Sequence, residues 1–444
     1  MIKLLTNHSF QPIKWRCPNM NCNQNEKISQ VKFTTLVVGI DIGSTTHYAR
    51  AFNWRGVELG KVFKFSNTRE GFENLNEWMR YLMKKNEMSD AIVGIEPTGH
   101  YWFNLGSYLR NEGILLTMVN PYAVKQSKEL DDNSQSKTDY KDPKVIAKLV
   151  IDGRYSIPYI PEGVYADLRV VSANRTRIQS EIGQIKNRMA RWFSIYFPEY
   201  HGVFRDYEAV SSMMVLRVAC TPQAILKLGP EGVNQIWRNA KIRAVGMKRA
   251  KTLCEAARMS IGQHNGTQAA EYEMKLLLAD YDYKMAQYNA TMEEMERLCQ
   301  QIPECEKLLA IKGIGLITVA GFFAEVGDLR RFESPRQIQK LAGLSLRENS
   351  SGKHKGQTTI SKRGRRKLRA VLFNVVIPLI AVNPEFKSLH EYFTQRPDNP
   401  LKKKQSVVAI SCKLIRVFYA IVTKDVEYDP EKMLSDIHRP MKVA

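Results

Sequence analysis

The chain has 444 residues, 44% of them hydrophobic, which is too long for one small domain and enough to fill two or three packed cores. Lys and Arg number 66 against 45 Asp and Glu, and the resulting charge of +21 fits a polyanionic partner, most simply nucleic acid. The best apolar run, residues 407–422, is broken by Lys413 and Arg416 and excludes a membrane span, and seven cysteines without regular spacing point to reduced thiols in a cytoplasm rather than a disulfide scaffold.

Residues 1–32 read as a polar, irregular extension. Its opening, MIKLLTNHSFQPIKW, turns polar after a few residues, so no signal peptide is expected. Cys17 and Cys22 lack the second Cys/His pair that a structural zinc site needs. From residue 33 the pattern changes. TTLVVGID predicts a buried strand ending in Asp41, and THYARAFN and VELGKVFKF flank WRG as a hairpin. GFENLNEWMRYLMKK places Phe72, Leu75, Met79 and Leu82 at helical spacing. AIVGIE predicts a second buried strand ending in Glu96, followed by a helix through YWFNLGSYLRNEG and the strand ILLTMVN. Three strands, helix, strand, helix, strand describe an α/β layered domain over 33–165 with carboxylates at two strand ends. Further on, KTDYKDPKVIA sets Asp139 and Asp142 three residues apart, one face of a helix, with Pro143 suited to its first turn.

Residues 166–300 read as helical. Met274, Leu278, Tyr281, Met285, Tyr288, Met292, Met295 and Cys299 alternate steps of four and three residues, a heptad seam that suits either a coiled coil between subunits or a long helix packed on its own domain. The last domain, 301–424, precedes a tail at 425–444. In it LLAIKGIGLITVAGFFAEVG predicts helix, glycine turn and helix, similar to a helix-hairpin-helix, whose turn at Lys312, Gly313 and Gly315 would offer backbone N–H groups to a phosphate. A plain helical hairpin is the simpler alternative. Between Ser345 and Arg369 stand Arg347, Lys353, Lys355, Lys362, Arg363, Arg365, Arg366, Lys367 and Arg369 against one acid, Glu348. A solvated face mixes both signs, so this tract is expected to face phosphates.

Asp41, Glu96, Asp139 and Asp142 form the candidate catalytic and metal-binding set. Carboxylates crowded at one sheet edge repel each other unless a hard cation such as Mg²⁺ neutralises them. Such ions assist phosphodiester cleavage. Acid on the first strand, acid on the fourth and acids on a late helix resemble a ribonuclease-H-like fold of the RuvC type. GIDIGSTT also resembles the first phosphate loop of actin-like sugar kinases, but the second, Asp-Gly-Gly loop of those enzymes is missing from the sequence.

GIDIGS, GIEPTGHYW, VNPYAVK, KTDYKDPKVIA and the run from IKGIGLITVAGFF through NSSGKHKG to SKRGRRKLRAVLF resemble, in order and spacing, the DEDD transposases of bacterial insertion sequences in the IS110 family, the bridge-RNA-guided recombinases. The resemblance covers about residues 35–165 and 300–424. It implies a RuvC-like N-terminal domain, a helical coiled-coil middle and a C-terminal domain bearing a serine nucleophile. The family's Ser-Gly pair falls on Ser351, with Ser350 as the fallback. It further implies a serine–phosphate–DNA intermediate, Mg²⁺ at the acidic set, target and donor DNA, a structured noncoding RNA that pairs with both, and an oligomer whose active site combines acids of one subunit with the serine of another. Two other readings remain open from the residues alone: a RuvC-like nuclease using metal-activated water, and a non-catalytic RNA- or DNA-binding protein.

Overall fold

A computed structural model describes residues 23–97, 99–132, 141–347, 350–351, 354–356, 358–435 and 437; of Ser350, Ser351 and Lys355 it describes the backbone alone. Cys17, Cys22, Asp139 and Lys353 lie outside the described residues. The chain divides into two compact units, one ending at Ile160 and one beginning at Pro161.

The first unit opens with α1 (Gln24–Ser29), where the sequence suggested irregular chain. Asn23 and Glu26 cap it reciprocally, satisfying amides that a six-residue helix cannot pair internally. The elements that follow are β1 (Thr35–Asp41), β2 (Thr46–Phe52), β3 (Phe63–Ser66), α2 (Arg69–Lys85), β4 (Asp90–Ile95), α3 (Trp102–Asn111), β5 (Leu115–Val119), α4 (Pro121–Asp132), α5 (Asp142–Ile151) and β6 (Tyr155–Ser156). The strands form one sheet in the order β3-β2-β1-β4-β5-β6. β1 runs antiparallel to β2 and parallel to β4, and β4 runs parallel to β5.

Alternation along the strands assigns the two faces. Leu36, Val38 and Ile40 of β1 join Val93 and Ile95 of β4 in a core with Phe72, Leu75 and Met79 of α2 and Leu105 and Leu109 of α3. Val37 and Ile92 look the other way, into a second core with Val145, Ile146, Leu149 and Val150 of α5. Both faces are covered, so the central strands read as continuous apolar runs.

The second unit is mostly helical: α6 (Gly163–Tyr196), α7 (Tyr200–Val203), α8 (Val210–Val218), α9 (Pro222–Asn239, broken at Gly229), α10 (Met247–Arg258), α11 (Thr267–Cys299), α12 (Glu304–Leu309), α13 (Leu316–Val326), α14 (Pro335–Leu341), the two-residue strands β7 (Leu346–Arg347), β8 (Ser350–Ser351), β9 (His354–Lys355) and β10 (Thr359–Ile360), then α15 (Arg366–Val382), α16 (Pro384–Gln395), α17 (Lys403–Lys424) and α18 (Pro430–Leu434).

Two cores are strung on α6 and α11, which pack against each other along their length. Ile185, Met189, Trp192 and Phe193 of α6 meet Ala270, Met274 and Leu278 of α11 in one. Leu168 of α6 meets Met295, Leu298 and Cys299 of α11 in the other. The pair is therefore antiparallel. Between the cores Tyr281, Met285, Tyr288 and Met292 are half-buried. There the helices are tied by polar contacts: Lys284 to Glu181 at 2.7 Å, and Arg175 to the Tyr288 hydroxyl at 3.3 Å. The two ends of the heptad seam are thus buried within the chain, in the cores that α6 and α11 share, and its middle is half-buried along α6. A seam of 4-3 spacing says that a helix will be covered and leaves open by what. In α17, Val407, Ile410, Leu414, Ile415, Phe418, Ile421 and Val422 enter the C-terminal core, which accounts for its apolar stripe.

Candidate active site

Asp41 is the last residue of β1, and Glu96 directly follows β4. The parallel register pairs Ile40 with Ile95, so the two carboxylates occupy the next adjacent places at the same end of the sheet. Strand alternation puts Asp41 on the face of Gly39, and Glu96 on the face of Gly94.

Those two glycines decide what else arrives. A Cβ on Gly39 would lie 1.9 Å from the carbonyl oxygen of Pro143, and one on Gly94 would lie 2.5 Å from the Val150 side chain. Only a bare backbone lets α5 come this close. Pro143 sits in the first turn of α5, so its neighbour Asp142, the first residue of the helix, is delivered to the same sheet end.

The electrostatics reflect the crowding. Burial pushes the Glu96 carboxyl above the usual carboxylate range; the Lys128 ammonium of α4 works against this, and the Asp142 carboxylate adds to it. Lys128 Nζ lies 2.5 Å from Asp142 Oδ2. Among the described residues no three His, Cys, Asp or Glu side chains stand as a ready-made metal cage. Asp142 is turned to Lys128, and Asp139 lies outside the described residues. The donor set nonetheless suits a hard cation: the oxygens of Asp41, Glu96 and Asp142 are carboxylate, and burial makes the Glu96 charge costly unless a cation meets it.

Sequence reasoning missed the supports of this site. Lys128 lay in a polar run without a helical stripe to single it out. His47 is fully buried and accepts a hydrogen bond from the Gly43 N–H at Nδ1, 3.2 Å, fixing the turn that leaves Asp41. Burial lowers its pKa, with the Asn67 side chain pulling weakly the other way, and its ring stacks against Phe72 and tilts on Phe65. It is a neutral acceptor at that turn. The adjacency of GSTTH to Asp41 was its one signal.

In the second unit the serine segment carries two short antiparallel ribbons. Leu346 and Arg347 pair with Ile360 and Thr359 in one; Ser350 and Ser351 pair with Lys355 and His354 in the other. The chain leaving β10 is clamped to the end of α14. Lys362 N–H donates to Gly343 O at 3.0 Å, and Arg365 N–H to Leu341 O at 2.7 Å. A Cβ on Gly364 would come 2.4 Å from Leu341 O, which explains the glycine within SKRGRR.

The basic tract then splits by task. Lys362, Arg363 and Arg366 are exposed just beyond β10. Arg365, expected among the phosphate-facing residues, instead donates from Nη1 to Glu325 O at 2.9 Å and meets the Glu325 carboxylate at 3.4 Å. Arg369 caps Ala342 O at 2.9 Å. The sequence counts cations but does not show which ones the fold uses internally.

The KGIG segment joins α12 to α13. Gly313 has φ +94, and the Lys312 carbonyl accepts from Asn383 Nδ2 at 3.0 Å. Gly315 is the extended N-cap of α13, with open space around it, and Lys312 is exposed.

Comparison with known proteins covers both sets of residues. A family model described as a DEDD transposase of the IS110 type matches residues 38–198, spanning all four acids. A second, described as transposase IS116/IS110/IS902 family, matches 305–391, spanning both serines and the basic tract. Together they cover more than half of the chain. The chain is similar to a "Probable family 20 transposase" of Pseudomonas aeruginosa, 23% identical over 78% of this chain and 87% of that protein. It is similar to an insertion element IS116 uncharacterized 44.8 kDa protein of Streptomyces clavuligerus, 22% identical over 87% of this chain and 94% of that one. It is 32% identical to the pilin gene-inverting protein of Moraxella bovis, over 28% of this chain and 38% of that protein.

Proposed function

We propose that this chain, which belongs to the IS110 family of transposases and is an enzyme of DNA transposition and recombination, exchanges DNA strands through a covalent link to Ser351. The observation that carries the reading is the placement of Asp41 beside Glu96 at one end of parallel β1 and β4, with Asp142 brought to them by α5. A polyanion-binding protein of charge +21 has no evident need for concentrated half-buried acid unless that acid holds a cation. Asp41, Glu96, Asp139 and Asp142 would hold divalent metal, Mg²⁺ by the hardness of the oxygen donors. When bound, that ion supplies positive charge against the oxygens of the attacked phosphate.

In the proposed step the Ser351 hydroxyl oxygen attacks the scissile phosphorus. A bond from phosphorus to Oγ forms as the bond from phosphorus to the leaving deoxyribose oxygen breaks. The serine proton is transferred, through solvent, to that oxygen, which departs as a hydroxyl. Exposed Lys362, Arg363 and Arg366 hold neighbouring phosphates, with Lys353, Lys355 and the Lys312–Gly315 turn as further contacts. Joining is the reverse attack by a hydroxyl of the new partner strand. The likeness to a pilin gene-inverting protein supports rejoining at chosen sites over simple cutting. Site choice is proposed to rest on a structured RNA pairing with target and donor DNA, and acids and serine to come from different subunits of an oligomer.

The test is to denature the reaction rapidly and look for protein on the DNA. Wild type is expected to give an adduct on the peptide ENSSGK, and Ser351→Ala none, while Ser350→Ala retains activity. Cleavage with no adduct in any of these proteins would favour metal-activated water instead. Omitting the structured noncoding RNA should abolish site-directed exchange; undiminished exchange would remove the guide from the proposal.

A further inference from the structure

We infer that the α9–α10 turn is a second duplex-DNA surface, in a region, residues 199–304, that neither family model reaches. From Val233 to Cys254 the sequence carries Arg238, Lys241, Arg243, Lys248, Arg249 and Lys251 and no acid. The apolar residues of the same stretch are spent inward: Val233, Trp237, Ala250 and Leu253 are fully buried in the core between α6 and α11. The cations are left on the outside, all six exposed.

Two of them have work within the unit. Arg238 donates to the Val245 carbonyl and steadies the turn, and Arg249 reaches Val203 O at 3.2 Å across the Phe204 ring. Lys241, Arg243, Lys248 and Lys251 have no acidic partner among the described residues; Glu255, the acid one helical turn beyond Lys251, is taken by Arg258 at 2.6 Å. Four uncompensated cations on one turn repel each other in the free protein. Lys248 and Arg249 also stand in the first turn of α10, which has no acid and no side-chain cap. That is the wrong end of a helix dipole for positive charge. Phosphates along the turn would relieve both penalties at once.

A second observation points the same way. Ile242, Val245, Gly246 and Met247 repeat the spacing of Ile311, Ile314, Gly315 and Leu316. Both glycines are extended N-caps without a side-chain cap, and each carbonyl accepts an amide four residues on, Ala250 at 3.1 Å and Val319 at 3.2 Å. The two turns thus share the extended glycine N-cap, while the left-handed residue falls at Gly313 in one and at Lys241 in the other. Duplex DNA is the occupant the chemistry favours. The one aromatic residue in the stretch, Trp237, is buried with its indole N–H bonded to Ser211 O at 2.8 Å, so no aromatic ring of the stretch is free to stack an unpaired base. Duplex DNA is what the enzyme class acts on. The inference needs a DNA-binding chain and does not depend on serine chemistry.

The experiment measures binding of the full chain to a 30-base-pair DNA duplex of arbitrary sequence, an RNA duplex and single-stranded DNA across a salt series. The variants are Lys241→Ala/Arg243→Ala/Lys248→Ala/Lys251→Ala and the milder Lys248→Gln/Lys251→Gln; thermal melting confirms that each is folded. On duplex DNA the quadruple variant is expected to lose at least tenfold in affinity at about 0.15 M salt, with the salt slope reduced by up to about 0.9 per contact removed. The double variant should lose about half as much of the slope. Unchanged slope and affinity in both variants, or a loss confined to the RNA duplex or the single strand, overturns the inference. Ser351→Ala should bind all three probes like wild type, so failure here and failure of the serine step are separable.

Discussion

Lys128 Nζ lies 2.5 Å from Asp142 Oδ2, and the same ammonium is the group that opposes the rise in the Glu96 pKa. One lysine therefore serves two carboxylates at the sheet end, in the position a divalent cation would contest. Lys128→Met is expected to cost about 1 kcal/mol or less without metal, since the pair is partly exposed. Added Mg²⁺ should then raise the melting temperature of the variant more than that of wild type. Equal shifts in the two proteins would show that lysine and metal do not share Asp142.

Glu96 gives a pH-dependent version of the same test. Its folded pKa is raised by burial, so the protonated form favours folding. That contribution is full below the ordinary carboxylate range and is lost as pH rises through the raised value. Glu96→Gln removes the titration. The variant should be the more stable protein at neutral pH in the absence of divalent ions, by a margin that grows across that window and shrinks on adding Mg²⁺. It should not recombine DNA. Parallel stability profiles, or wild-type recombination, would contradict the assignment.

Gly39 holds the acids together without being one. Gly39→Ala puts a methyl group 1.9 Å from Pro143 O, a backbone atom with no rotamer to yield. Pushing α5 off the sheet is expected to cost about 1–3 kcal/mol or more and to carry Asp142 away from Asp41. Stability is read by denaturant melts and activity by strand exchange. A folded and fully active Gly39→Ala would mean that the approach of α5 does not matter to the site.

Arg365 and Arg366 are adjacent and should behave differently. Arg365→Ala removes contacts to Glu325 and is expected to destabilise the second unit by about 1–3 kcal/mol. Arg366→Ala should leave the melt unchanged and lower the salt slope of DNA binding by about 0.9. The reverse pattern would return Arg365 to the phosphate-facing set.

The sequence by itself determined the local elements and the chain order of the acids. The runs ending in Asp41 and Glu96 are strands buried on both faces, and Phe72, Leu75, Met79 and Leu82 form the buried stripe of α2, because burial imposes its period on neighbouring residues. Only the tertiary structure decided which distant groups meet. Gly39 and Gly94 look like ordinary strand residues until α5 lies over them, and Lys128 becomes a partner of Asp142 because α4 and α5 pack together. In the same way α6 came to pack along the helix that carries the seam from Met274 to Cys299, and Glu325 became a partner of Arg365. Those pairings depend on how chain segments well beyond one helical or strand repeat return to one another, and a pattern of period 2 or 3.6 contains no record of that return.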